Sequence, residues 1–240
     1  MSIHGKLPRR GTPDAANLLS NFVFPECKLS LESRASWKEV FFDSMITEYD
    51  ARRLYWYLES RHADVFAVLV DVLNPWLRDE IDHAHGFAII YASFSNISFD
   101  EVLLSAELRK PDFSIIDSIA TDPLKLLVAL AYDEIVTTHV YHRSIKTYDE
   151  FACSKLSSWI RKAKRDEVMH FFAFVEKAKQ LYPHRLHEVS GMLDQIYRVD
   201  FEKESYTGTF VLDHNAPDFP ISKEEIKSTI LPAIIKKFVC

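Results

Sequence analysis

Two segments of the chain carry the same short pattern, Glu80-Ile81-Asp82-His83 and Glu167-Val168-Met169-His170. On a helix, residues three apart are neighbours on one face, so each segment sets a carboxylate beside an imidazole. Both lie in long runs with apolar residues at helical spacing. The chain has only 5 glycines, while 48% of its residues are hydrophobic. Such a chain seldom needs positive φ and is mostly helix. One Glu-x-x-His pair arises by chance on any exposed helix. Two pairs on two helices constrain the fold far more, because this pairing is found in bundles where two further helices each add one inward glutamate.

Taken in order, residues 1–35 contain Pro8, Pro13 and Pro25 and read as an irregular N-terminal arm. Its apolar stretch from Leu18 to Phe24 can dock as a short helix. Residues 36–240 read as a single all-α domain, a four-helix bundle over 36–182 with additional helices over 184–240. The first helical run spans Ser36 to Asn74, with a candidate break near His62. Pro75 is expected to open the second helix, which runs to about Ser95, since proline suits a first turn. Ser98 caps a short helix. The third bundle helix starts at Asp122-Pro123 and runs to about Lys146. The fourth runs from Tyr148 to about Leu181, ahead of Pro183. A loop is expected over residues 204–221, after which Ser222-Lys223-Glu224-Glu225 is a capping-box pattern opening a last helix.

The first and third bundle helices each hold a glutamate among apolar neighbours. Glu48 follows Met45-Ile46-Thr47, with Glu59 as its competitor on the same face. Glu134 interrupts a stripe of Leu127, Leu130, Thr137 and Tyr141, where an uncompensated carboxylate is costly. The candidate metal ligands are therefore Glu48, Glu80, His83, Glu134, Glu167 and His170. Carboxylate oxygens are hard donors that can bridge two ions, and imidazole is neutral. Four carboxylates balance two divalent cations; without cations, four buried negative charges repel and take up protons. The expected cofactor is a pair of iron ions, with manganese as the competing metal, and dioxygen is the expected co-substrate. Thr137 and Asp166 are the candidate catalytic residues. Thr137, one turn after Glu134, can place a hydroxyl beside oxygen at the site, and Asp166 can orient a ligand histidine by a hydrogen bond.

Composition excludes other classes. A net charge of −6 argues against binding nucleic acid through phosphate contacts. Cys27, Cys153 and Cys240 lack zinc-like or redox-like spacing, and their odd number fits free thiols in a reducing compartment. No apolar run reaches the ~18 residues of a membrane span. The expectation is a soluble, cytoplasmic protein.

With these motifs in place, the chain resembles the soluble acyl-carrier-protein desaturases, the stearoyl-type family of ferritin-like di-iron proteins. Met45-Ile46-Thr47-Glu48 is similar to that family's first-ligand segment. Asp79-Glu80-Ile81-Asp82-His83, with Gly86 shortly after, resembles its Glu-Glu-Asn-Arg-His-Gly motif, with Ile81-Asp82 replacing Asn-Arg. Glu134 with Thr137 resembles its third-helix pair, and Asp166-Glu167-Val168-Met169-His170 its Asp-Glu-Lys-Arg-His motif, with Phe171 where the family usually continues with Glu. The resemblance covers about residues 40–200. It implies a ferritin-like bundle and a di-iron centre that desaturates a fatty-acyl chain tethered to acyl carrier protein. It also implies a ferredoxin-like electron donor, and a homodimer is expected. Phe87, Ile90, Leu130 and Phe174 would line a narrow apolar channel. The basic run Arg161, Lys162, Lys164 and Arg165 could meet an acidic carrier.

Three other readings share parts of the pattern. A di-iron hydroxylase or N-oxygenase keeps the site, although Ala163 stands where one N-oxygenase group has a third histidine. A ferritin-like iron-storage protein is usually a shorter chain. The radical-generating subunit of ribonucleotide reductase needs a tyrosine near the metals, and Tyr141, two turns past Glu134, looks poorly placed for it.

Overall fold

The structure, a computed structural model, describes residues 14–25, 29–202, 212, 214 and 221–239. Its helices are α1 (Ala15–Leu18), α2 (Leu31–Arg61), α3 (Ala63–Ser95), α4 (Phe99–Glu107), α5 (Asp117–Ala120), α6 (Pro123–Glu150), α7 (Ser154–Leu181) and α8 (Val189–Glu202). A short α9 (Lys223–Glu225) passes through a π turn (Ile226–Ile230) into α10 (Leu231–Val239). No strand occurs among the described residues. The protein is an all-α helical bundle, as the sequence implies. Pro8, Pro13, Cys27, Cys240 and most of the loop expected at 204–221 lie outside the described residues.

Caps set several helix starts. The Ser30 hydroxyl accepts from the Ser33 N–H, so α2 begins at Leu31, ahead of the expected Ser36. Ser98 and Glu101 form a reciprocal capping box on α4. Asp122 caps α6, with Pro123 in its first turn. Ser222 caps α9, as its sequence pattern indicates.

Two boundaries differ from the sequence reading. The chain reverses at His62 (φ −130°, ψ 45°), and Pro75 lies inside α3 rather than at its start. A proline there has no N–H to give the carbonyl one turn back and normally weakens a helix. Leu73 and Trp76, fully buried on either side, hold it in place by packing. Likewise α6 runs on past Lys146, because Tyr148 is buried against Trp37 and Phe41. The turn into α7 comes at Ala152, which adopts a left-handed φ of 50°.

The helices α2 and α3 form one antiparallel hairpin, and α6 and α7 a second. Residues 96–122 carry the chain back along the bundle, since Asp117 near the start of α6 meets His62 at 2.9 Å. Helices α3 and α6 therefore start at the same end, the arrangement of a bundle with one long crossover. The end of the N-terminal arm is docked. Phe24 packs against Phe41, Phe94 and Phe151, and its N–H donates to Ser93 Oγ at 2.7 Å.

The core has two apolar halves. One, around Leu54, Leu73, Trp76, Leu130 and Phe174, fills the His62 end. The other, around Phe41, Met45, Phe87, Trp159 and Ile160, fills the opposite end. Along each bundle helix the boundary between them falls at or within two turns of a candidate ligand: just after Glu48 between Tyr49 and Ala51, at Glu80 between Trp76 and Ala84, just after Glu134 between Val136 and Tyr141, and at Glu167 between Ala163 and Phe171.

Candidate metal centre

All six candidate ligands are buried, with exposures between 0% for His83 and 5% for His170. The competitor Glu59 is exposed. Their atoms form two overlapping groups, Glu48–Glu80–His83–Glu167 and Glu80–Glu134–Glu167–His170, each with one donor atom per residue inside 4.8 Å. Glu80 and Glu167, the glutamates of the two repeated motifs, belong to both. Glu48 with His83 and Glu134 with His170 complete one side each. Each group could hold a metal ion.

The separations inside the cluster are short. His83 Nδ1 lies 3.1 Å from Glu167 Oε1, 3.5 Å from Glu80 Oε2 and 3.7 Å from Glu48 Oε2. His170 Nδ1 lies 3.0 Å from Glu80 Oε1, 3.1 Å from Glu167 Oε2 and 3.2 Å from Glu134 Oε2. Yet Glu80 Oε1, His83 Nδ1 and Glu167 Oε1 are closed off from solvent and make no hydrogen bond of proper orientation. A buried polar atom without a partner costs about 1–3 kcal/mol. Three of them within one buried cluster fit a donor set able to take a cation better than they fit a hydrogen-bonded core.

The protonation pattern agrees. Burial, and then the charge of Glu80, pushes the Glu48 carboxyl well above its ordinary range; burial, and then Glu167, does the same to Glu134. For Glu167, burial is opposed and outweighed by His83 and His170, which hold it well below. Burial disfavours charge on both histidines, but the surrounding carboxylates raise them well above the usual imidazole value. Protons here do the balancing that cations would otherwise do.

Each imidazole is fixed from behind by the other motif's helix. His83 Nε2 faces Asp166 Oδ2 at 3.4 Å, and His170 Nε2 faces Asp79 Oδ2 at 3.4 Å. The outer nitrogen thus meets a carboxylate while Nδ1 points into the cluster, the orientation a ligating histidine takes. Asp166 thus lies within reach of a candidate ligand histidine. The two outer glutamates are held by aromatic donors. Trp76 Nε1 donates to Glu134 Oε1 at 2.7 Å, and the Tyr141 hydroxyl donates to Glu48.

Other expectations need correction. Tyr141, two turns from Glu134 along α6, reaches the site through Glu48 on α2. Thr137 is only half-buried, whereas Thr138 is buried and its hydroxyl lacks a hydrogen-bond partner. The inward stripe of α6 thus runs Glu134, Thr138, Tyr141. The basic run is split: Lys162 turns inward and is 7% exposed, Arg161 pairs with Asp149, and Lys164 and Arg165 stay outside. Phe87, Ile90, Leu130 and Phe174 are fully buried core residues. Cys153 is a half-buried free thiol. No helix of the described residues is long and apolar enough to cross a membrane.

No family model, curated protein or solved structure matches the chain. The class of the site therefore rests on its own geometry, a buried carboxylate–histidine cluster shared by four helices.

Proposed function

We propose that this protein is an oxygen-dependent di-iron oxidase, with a fatty-acyl chain tethered to acyl carrier protein as substrate and desaturation as the reaction. The observation that carries the metal reading is that Glu80 and Glu167 each belong to both ligand groups. Two carboxylates shared between two such groups suit a pair of adjacent ions, and the mixture of carboxylate and imidazole suits iron. The four glutamates offset the charge of two divalent ions inside an apolar interior. The substrate, acyl carrier protein and ferredoxin-like donor are inferred from the motif resemblance.

What two iron ions would supply is the reducing power to activate dioxygen toward an unactivated C–H bond. The chain's own residues do the rest. Asp79 and Asp166 keep the histidine rings turned with Nδ1 inward. Trp76 and Tyr141 restrain the outer carboxylates through hydrogen bonds to charged acceptors. The two apolar halves of the core exclude water from the centre and suppress side reactions.

The test is anaerobic reconstitution with iron(II), then dioxygen and a panel of acyl-carrier-protein thioesters, with products identified by mass spectrometry. The expected result is two irons per chain and a product lacking two hydrogens. A product with one added oxygen atom would move the reading to a hydroxylase. A chain that takes up no iron would overturn it.

A further inference from the structure

The centre is closed unequally on its two sides. On the His83 side, Asp166 accepts from Lys162 Nζ at 2.7 Å, and the same ammonium reaches Asp82 Oδ2 at 2.8 Å. Asp82 in turn accepts from the Ala15 N–H at 2.8 Å, which lays α1 across this side. Trp159, fully buried, fills the space beside the His83 ring.

Among the described residues the His170 side has no such cover. Its aspartate, Asp79, pairs with Arg78, a side chain 41% exposed on the same helix. Beside it lies a cavity of about 40 Å³ between α3 and α7, walled by Val72, Pro75, Met169, Ala173 and Phe174. Its polar end is formed by Trp76, Arg78, Asp79 and His170, and of these Trp76 and His170 touch Glu134. A wider surface groove of about 430 Å³ shares Val72, Pro75 and Ala173 with this cavity. The cavity and the groove therefore meet at Pro75, where α3 lacks a backbone donor.

Size decides what can occupy the inner cavity. Organic ligands take roughly 300–1,000 Å³, and one water in the liquid takes about 30 Å³. A cavity of about 40 Å³ admits a molecule of two or three atoms and excludes an acyl chain. A water finds partners only at the polar end; at the other end Val72, Pro75, Ala173 and Phe174 offer a guest no side-chain hydrogen-bond partner, whereas an ordered water needs two to four. An apolar diatomic fits.

We propose that this cavity is the route by which dioxygen reaches the centre, arriving first at the side formed by His170 and Glu134. The proposal rests on the di-iron reading, and its test separates the two. Crystals of the metal-free protein would be pressurised with xenon, and iron(II) oxidation by dioxygen would be followed by stopped flow. Wild type would be compared with Ala173→Phe and Val72→Phe, which fill the cavity from opposite walls. The expected result is a xenon atom between Pro75 and Phe174 in the wild type and none in the variants. Both variants would still bind two irons but oxidise them roughly tenfold more slowly. Unchanged oxidation in a variant that has lost the xenon atom, or no xenon in a wild type that binds two irons, would overturn the route alone. Xenon in a protein that binds no iron would overturn it through the reading on which it rests.

Discussion

Asp166 and His83 belong to different copies of the Asp-Glu-x-x-His motif, yet Oδ2 of one lies 3.4 Å from Nε2 of the other. Asp79 and His170 repeat the relation in reverse. Carboxylates behind a ligating imidazole fix its ring, and their loss typically lowers metal affinity about 10–100-fold. Asp166→Ala and Asp79→Ala are each expected to weaken binding of one ion by that factor while leaving the other nearly intact. Calorimetric titration with cobalt(II) would resolve the two steps. Equal weakening of both steps in either variant would contradict the pairing.

Stoichiometry separates shared from unshared ligands. Glu134 belongs to one group and Glu167 to both. Glu134→Ala should retain one metal ion per chain, and Glu167→Ala should retain fewer than one. Elemental analysis of the purified variants gives the count directly. Two full ions in Glu167→Ala would rule out the assignment.

Binding should release protons. Burial and neighbouring carboxylates raise Glu48 and Glu134, and carboxylates overcome burial to raise His83 and His170. These groups hold protons in the metal-free protein at a pH where their ordinary counterparts would have lost more of them. Cations must displace those protons, so affinity should climb with pH and decline in acid. Calorimetry in buffers of different protonation enthalpy measures the release. A pH-independent affinity would be inconsistent with this account.

Gly86 allows α3 and α7 to approach. A Cβ at that position would lie 2.0 Å from Trp159 Cζ2 and 2.2 Å from Cη2, on a fully buried ring that packs edge-on against His83. Replacing glycine by alanine inside a helix normally gains about 1 kcal/mol. Overpacking costs about 1–3 kcal/mol, and a contact this short between rigid groups lies toward the upper end. Gly86→Ala should therefore lower the melting temperature of the metal-free protein. An unchanged or raised melting temperature would show that Trp159 can move aside.

The six candidate ligands were legible in the sequence because their information is local. A glutamate and a histidine three residues apart declare a shared helix face, and Glu134 declares itself by interrupting leucines. Between Glu48 and Glu59 the sequence offered only apolar neighbours as a guide, and burial of Glu48 decides it. The residues that restrain the ligands were harder to see. Trp76 and Glu134 are 58 positions apart and Tyr141 and Glu48 are 93 apart, so only the packed bundle brings them together. Thr137 and Thr138 flank the point one turn after Glu134, so which of them turns inward depends on how α6 packs, which the sequence leaves open. Pro75 misled for a similar reason. Its local preference for a helix start yields to the tertiary packing of Leu73 and Trp76, and the hairpin turns instead at His62.

Both ligand groups draw on both hairpins. Neither half of the chain completes a group by itself, since Glu48, Glu80 and His83 come from the first hairpin while Glu134, Glu167 and His170 come from the second. Metal capture by such groups would thereby be tied to correct mating of the halves. A chain whose hairpins associate one turn out of step would present mismatched donors, and loading would act as a proofreading step on assembly.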